Sequence, residues 1–195
     1  MGLGRSAASP TRRYILTGAP GAGKTAILRA LESQGCSVVE ESATDVIALE
    51  QARGVPDPWT KPGFIDAITR LQRRRQIAAI AHSSRTQFYD RSPICTHALS
   101  TFLGYPISPT LRREIDRVEE ERIYQKRVFF IQNLGFCAPT AVRRISFEES
   151  LRFEQVHTES YRAFGYDCVL IAPGKLSDRV DAIRRAVETF RGSGD

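Results

Sequence analysis

Eight residues near the start of the chain, GAPGAGKT (18–25), constrain it most. They lie between the apolar run YILT (14–17) and the periodic segment AILRALES. Six of the eight are Gly, Ala or Pro, which add little to a core. The stretch fits G-x-x-x-x-G-K-[ST] through Gly18, Gly23, Lys24 and Thr25. Small residues let backbone N–H groups turn inward around phosphate oxygens. A helix start just beyond adds free N–H groups and a dipole that favours anions. Lys24 suits the β- and γ-phosphates as a point charge. The Thr25 hydroxyl suits Mg²⁺, a hard cation that shares its ligands between protein and phosphate. The expectation is a triphosphate cradle made of Gly18, Ala19, Pro20, Gly21, Ala22, Gly23, Lys24 and Thr25, with ATP and Mg²⁺ as cofactors. A mere glycine-rich turn would leave Lys24 and Thr25 without a role.

The rest of the chain alternates strand and helix signals. Strands are expected at Tyr14–Thr17, Ser37–Val39, Gln87–Tyr89, Val128–Ile131 and Cys168–Ala172. Helices are expected at Thr25–Gln34, from Ser42 with Asp45 as capping-box partner, and at Phe64–Ala81, Ile94–Leu103 and Leu111–Arg122. Two more follow: one from Ser146, boxed by Glu149, to about Phe164, and a last one capped by Ser177. RGVPDPWTKPG (53–63) reads as a loop. Such alternation implies right-handed crossovers and a mostly parallel sheet, with ligands at the carboxyl ends of the strands. The predicted fold class is α/β: a three-layer P-loop nucleoside-triphosphate hydrolase/kinase fold with a five-stranded parallel sheet and an Arg-bearing lid. Residues 1–11 read as a flexible tail, 12–192 as one P-loop kinase-like domain, and about 132–146 as the lid.

Bulk properties narrow the class. The chain has 195 residues, 42% hydrophobic and 26% charged, which suits one ordinary soluble domain. A net charge of +6 fits an anionic ligand without requiring a nucleic-acid partner, so no DNA or RNA is expected. Cys36, Cys95, Cys137 and Cys168 have no zinc spacing and read as reduced, mostly buried thiols. His82, His97 and His157 show no metal spacing and read as capping or packing residues. No run approaches the roughly 18 apolar residues of a membrane span, and the start lacks a secretory apolar centre. A cytoplasmic location with no transmembrane segment is therefore expected. The first residues match M-G-x-x-x-S through Gly2 and Ser6, a lipidation pattern. A basic tail is the plainer reading. Oligomeric state is not legible.

The strand ends carry candidate chemistry. Glu40 and Glu41 follow the second strand, where a carboxylate could receive a hydroxyl proton or help place Mg²⁺. They equally suit a helix start. Asp90 ends the third strand, suited to Mg²⁺ or substrate, and Arg91 beside it could meet phosphate. Arg143 and Arg144 lie in the irregular segment before a capped helix, where a lid could bring charge onto the transferring group. In RLQRRRQ (70–76), Arg70, Arg73 and Arg74 share one helical face, read as solvated or as meeting phosphate or a membrane surface. Gln72 and Gln76 share another, where a glutamine could read a base edge. There is no N-K-x-D guanine motif, the nearest stretch being QNLG (132–135).

Together, YILTGAPGAGKTAILRALESQGCSVVEESA, PWTKPGF, QFYDRSP and RVFFI…AVRRISFEES resemble the small AAA-type ATP-binding (AAA domain-containing) family. That family is related to the ribosylnicotinamide-kinase domain of the NAD-biosynthesis regulator and to nucleoside and nucleotide kinases. The resemblance runs from about Arg13 to the final helix. It implies ATP, Mg²⁺ and a small-molecule acceptor. It implies Glu41 as a candidate base, Asp90-Arg91 as the family's Asp-Arg, and Arg143 and Arg144 as its lid pair. Trp59 and Phe64 match aromatic positions near the acceptor pocket, which also suit loop packing. Thr44 stands where relatives often carry an arginine, and QNLGF where they often carry a Pro- and Trp-bearing stretch. One animal branch is reported as a GTP- and phospholipid-binding regulator.

The leading expectation is Mg²⁺-dependent transfer of the γ-phosphoryl of ATP to a small, nucleoside-like hydroxyl compound. Lys24, Glu41, Asp90, Arg143 and Arg144 would be catalytic, Thr25 and Asp90 would hold metal, and Trp59, Phe64, Gln72 and Arg91 would meet substrate. The alternative is a nucleotide-binding switch or slow ATPase acting on a protein or phospholipid. A nucleic-acid-associated ATPase has only RLQRRRQ in its favour.

Overall fold

Apolar residues that alternate along the first strand are shared between two separate cores. In β1 (Arg12–Thr17), Tyr14 and Leu16 enter one core and Ile15 the other, all fully buried. Each such aliphatic side chain contributes about 1.5–3 kcal/mol on burial. The computed structural model describes residues 10–18, 20–81, 84–134 and 146–192. Most of the expected N-terminal tail, Ala19, His82, Cys137 and the lid arginines Arg143 and Arg144 lie outside the described residues.

The remaining strands are β2 (Ser37–Val39), β3 (Thr86–Asp90), β4 (Arg127–Ile131) and β5 (Asp167–Ile171). All pair in parallel, in the order β2-β3-β1-β4-β5. One face carries α1 (Lys24–Ser33) and α7 (Leu176–Gly192), whose Ile27, Leu31, Val180 and Ile183 pack on Tyr14, Phe88 and Phe129. The other face carries α2 (Ala43–Ala52), α3 (Gly63–Ala79), α4 (Pro93–Phe102), α5 (Pro109–Glu120) and α6 (Phe147–Ala163). A 3₁₀ turn spans Pro58–Thr60. This is the three-layer α/β architecture with β1 at its centre. No helix among the described residues is long and apolar enough to cross a membrane.

Several local readings need correction. Ser42 is itself helical in φ and ψ and caps nothing with its side chain, while the Asp45 carboxylate pairs with Arg75 instead. Ser177 lies inside α7, bonded to Asp178. Cys36 and Cys168 are half-buried, and only Cys95 of the described cysteines is buried. Ser108 accepts from the Leu111 N–H, and Ser146 and Glu149 do form a reciprocal capping box.

Candidate functional site

The strand order places the ends of β1, β2 and β3 side by side, and the cradle grows out of β1. Gly18 has φ +124°, and a Cβ there would lie 2.3 Å from the Ile131 carbonyl oxygen at the end of β4. Only glycine fits this close, left-handed approach. Gly23 (φ +85°) stands just before α1, and a Cβ there would lie 3.0 Å from Arg179 Nη1. Lys24 begins α1 and folds back, its Nζ donating to the Gly18 carbonyl at 3.0 Å. Burial and the nearby Arg91 cation bring its pKa down to about 8, with Asp90 and Glu41 opposing.

Arg179 braces the loop from behind. It is buried in α7, and its Nη1 donates to Ala22 O at 2.9 Å and its Nη2 to Gln132 O at 3.1 Å. One side chain thus ties the phosphate loop to the segment that follows β4. Nothing in the sequence flagged it, because its partners are 157 and 47 residues away.

The structure separates the two glutamates. Glu40 is exposed, outside the cavity, and pairs with Arg29. Glu41 turns inward. Its Oε1 accepts from Arg91 Nε at 2.5 Å and its Oε2 from the Thr44 hydroxyl at 2.7 Å. Arg75 of α3 holds this corner, donating to the carbonyls of Glu40 and Glu41. Of the arginines in RLQRRRQ it is therefore Arg75 that braces the Glu41 backbone, while Gln72 of that stretch lines the cavity itself. Arg70 pairs with Asp66, Arg73 approaches Glu114, and Arg74 is exposed. Burial would push the Glu41 carboxyl up, but Arg91, Lys24 and the Thr44 hydroxyl outweigh it and bring it down to about 2.

Asp90 is the contrasting carboxylate. It ends β3, is 6% exposed, and its Oδ1 is buried with no hydrogen-bond partner. Burial, reinforced by Glu41, raises its pKa to about 6 against the pull of Lys24. Arg91 beside it takes a left-handed backbone (φ 72°) with its N–H on Leu16 O at 3.0 Å. That conformation turns its guanidinium between Glu41 and a fully buried histidine, His157. His157 Nδ1 lies 2.8 Å from Phe153 O and its Nε2 3.1 Å from Arg91 Nη1. The ring therefore donates from Nδ1 and accepts a hydrogen bond from Arg91 Nη1 at Nε2. Burial and the Arg91 charge keep it neutral, well below the usual histidine range. The packing role read for His157 is thus also a positioning one.

These groups open into one cavity of about 690 Å³. Pro20, Gly21, Gly23, Lys24, Thr25, Glu41, Asp90 and Arg91 line its phosphate end. Trp59, Phe64 and Gln72 line an apolar wing with Ile68, Leu99, Phe102 and Phe153. Ala22 is buried beneath the loop. The Thr25 hydroxyl and the unpartnered Asp90 oxygen fit Mg²⁺, which takes one or two protein oxygens and completes its shell with phosphate and water. No cluster of three or more His, Cys, Asp or Glu suited to a metal occurs among the described residues.

The AAA domain family model matches residues 13–179, most of the chain. The chain belongs to the AAA domain family. A search of curated proteins finds no match. Among solved structures, the chain is similar to a deoxyadenosine kinase from M. mycoides bound to dCMP and dCDP. Identity is 14%, TM-score 0.61, and coverage 91% of this chain and 99% of that one. It is also similar to NadR in complex with NAD and AMP-PNP, at 17% identity and TM-score 0.66. That match covers 91% of this chain and 49% of NadR, so the chain spans about half of NadR's length. The AAA domain chain therefore has the P-loop nucleoside-kinase-like fold.

Proposed function

We propose that this AAA domain protein is a Mg²⁺-dependent kinase that moves the γ-phosphoryl group of ATP onto the hydroxyl of a small molecule of nucleoside size. One observation carries the reading: the phosphate cradle and the two carboxylates open into a single cavity that continues into a separate wing. A slow ATPase needs room only for water there. Loop N–H groups and Lys24 hold the β- and γ-phosphates. Thr25 and Asp90 hold Mg²⁺, which when bound shields charge on the transferring group. Glu41, ionised and steered by Arg91 and Thr44, accepts the hydrogen bond of the acceptor hydroxyl and aligns its oxygen with phosphorus. The new P–O bond forms as the bond to the β–γ bridging oxygen breaks, and the acceptor proton leaves late, towards Glu41. Alignment and electrostatics supply most of the rate in such a loose transition state. The lid arginines, Arg143 and Arg144, are proposed to add positive charge at that stage.

ADP release measured with a panel of nucleosides and small alcohols tests the proposal. At least tenfold stimulation over the water-only rate is expected with the right acceptor. Lys24→Ala should abolish triphosphate binding. Tight ATP binding with no stimulation by any acceptor would point to the switch reading instead.

A further inference from the structure

The acceptor wing is walled by Trp59, Phe64, Ile68, Leu99, Phe102 and Phe153, contributed by the 3₁₀ turn, α3, α4 and α6. Among the described residues, most of its polar side chains are already engaged. Gln72 Nε2 donates to Ser92 O at 3.2 Å, and its Oε1 accepts from the Thr96 hydroxyl at 2.9 Å. The Cys95 sulfur lies 3.0 Å from the Tyr161 hydroxyl. Glu149, at the rim, accepts from the Ser146 N–H at 2.8 Å. Asp90 Oδ1, a buried side-chain oxygen with no partner, sits at the phosphate end of the cavity.

This polarity gradient runs along one continuous space. A nucleobase entering the wing would exchange water for walls that meet few of its donors and acceptors. Each unmet one weakens binding about tenfold. Apolar surface gains at every methylene instead.

We infer that the acceptor is an alcohol with an apolar body, bound with its hydroxyl at Glu41 and its hydrocarbon portion between Trp59, Leu99 and Phe102. This rests on the kinase reading above. The reaction is unchanged: the alcohol oxygen gains the phosphoryl group, ADP leaves, and one proton is released.

Trp59 is the only tryptophan in the chain and stands in the wing, so its fluorescence reports occupancy. The full chain with Mg²⁺ and AMP-PNP is titrated with straight-chain primary alcohols from butanol to decanol, and with adenosine, cytidine and thymidine. Affinity should tighten about fourfold for each added CH₂ until the wing is full. Leu99→Asn should weaken octanol at least tenfold, and Ile77→Asn, exposed on the far part of α3, should leave it unchanged. Where Leu99→Asn loses its native circular dichroism, Phe102→Leu replaces it, with about threefold weakening expected. A nucleoside that outbinds every alcohol, an absence of chain-length dependence, or full affinity in the wing variant overturns the inference. ADP release, measured with ATP, separates it from the broader reading. Alcohols that bind as expected without ADP release sink the kinase reading and leave the wing as an apolar binding site only. Release driven by nucleosides only sinks the apolar acceptor alone.

Discussion

Between about pH 4 and 6, Asp90 holds a proton that the unfolded chain would give up. Its pKa of about 6 lies above the ordinary value of 3.8, so between these values the folded state binds more protons. Stability therefore falls as pH rises from about 4 through 6, and levels off above about 7. Asp90→Asn removes that loss. The variant is expected to be more stable than the native chain at pH 7.5, with the gap closing near pH 4. Urea melts across this range check it. Glu41 behaves oppositely: its depressed pKa adds stability above about 4.5 that is lost as pH falls towards 2. Gly18→Ala places a methyl 2.3 Å from Ile131 O at a left-handed φ. It is expected to cost about 2–4 kcal/mol and to abolish AMP-PNP binding, read by a thermal melt and a titration. At this scale the motif residues were legible because each carries its chemistry within eight consecutive positions. His157, Arg75 and Arg179 were not, since their roles exist only across contacts 34 to 157 residues apart.

Strands and helices were legible to within a few residues wherever apolar periodicity and local caps agreed. Ser146 and Glu149 are such a case, because a capping box closes within four residues. The Ser42–Asp45 pair has the same spacing, with the shorter Asp in place of Glu, and fails, because the long-range partner Arg75 captures the aspartate carboxylate. Side-chain identity sets the offer, and the neighbouring helix decides whether it is taken. The bracing of the phosphate loop by α7 works the same way. Arg179→Met leaves the Ala22 and Gln132 carbonyls without their charged donor, at about 2–3 kcal/mol. AMP-PNP affinity is expected to fall tenfold or more. Arg179→Lys, which can reach one carbonyl, should recover part of it. A Met variant with native nucleotide affinity would show that α7 only packs.

Across the whole molecule, the parallel order β2-β3-β1-β4-β5 makes the site, since it gathers Gly18, Glu41 and Asp90 at one edge. Alternation of strand and helix made that class legible. The apolar wing was less so, because its walls come from elements between residues 59 and 153. A ligand that binds only the folded state shifts its melting in proportion. AMP-PNP at about 100 times its Kd adds about 2.7 kcal/mol, or roughly 5–11 °C for a domain of this size. Lys24→Ala should show no such shift in differential scanning fluorimetry.

The seat of Gly18 on Ile131 also bears on how the protein is made. The loop leaves the ribosome as residues 18–25, yet its floor is a carbonyl of residue 131 and its brace a guanidinium of residue 179. At about 5–20 residues per second, roughly 8–30 s separate writing the loop from completing it. A nascent chain can carry the whole motif and still hold no nucleotide. A nucleotide therefore cannot guide the early stages of folding, and it rewards only a chain already synthesised past residue 179.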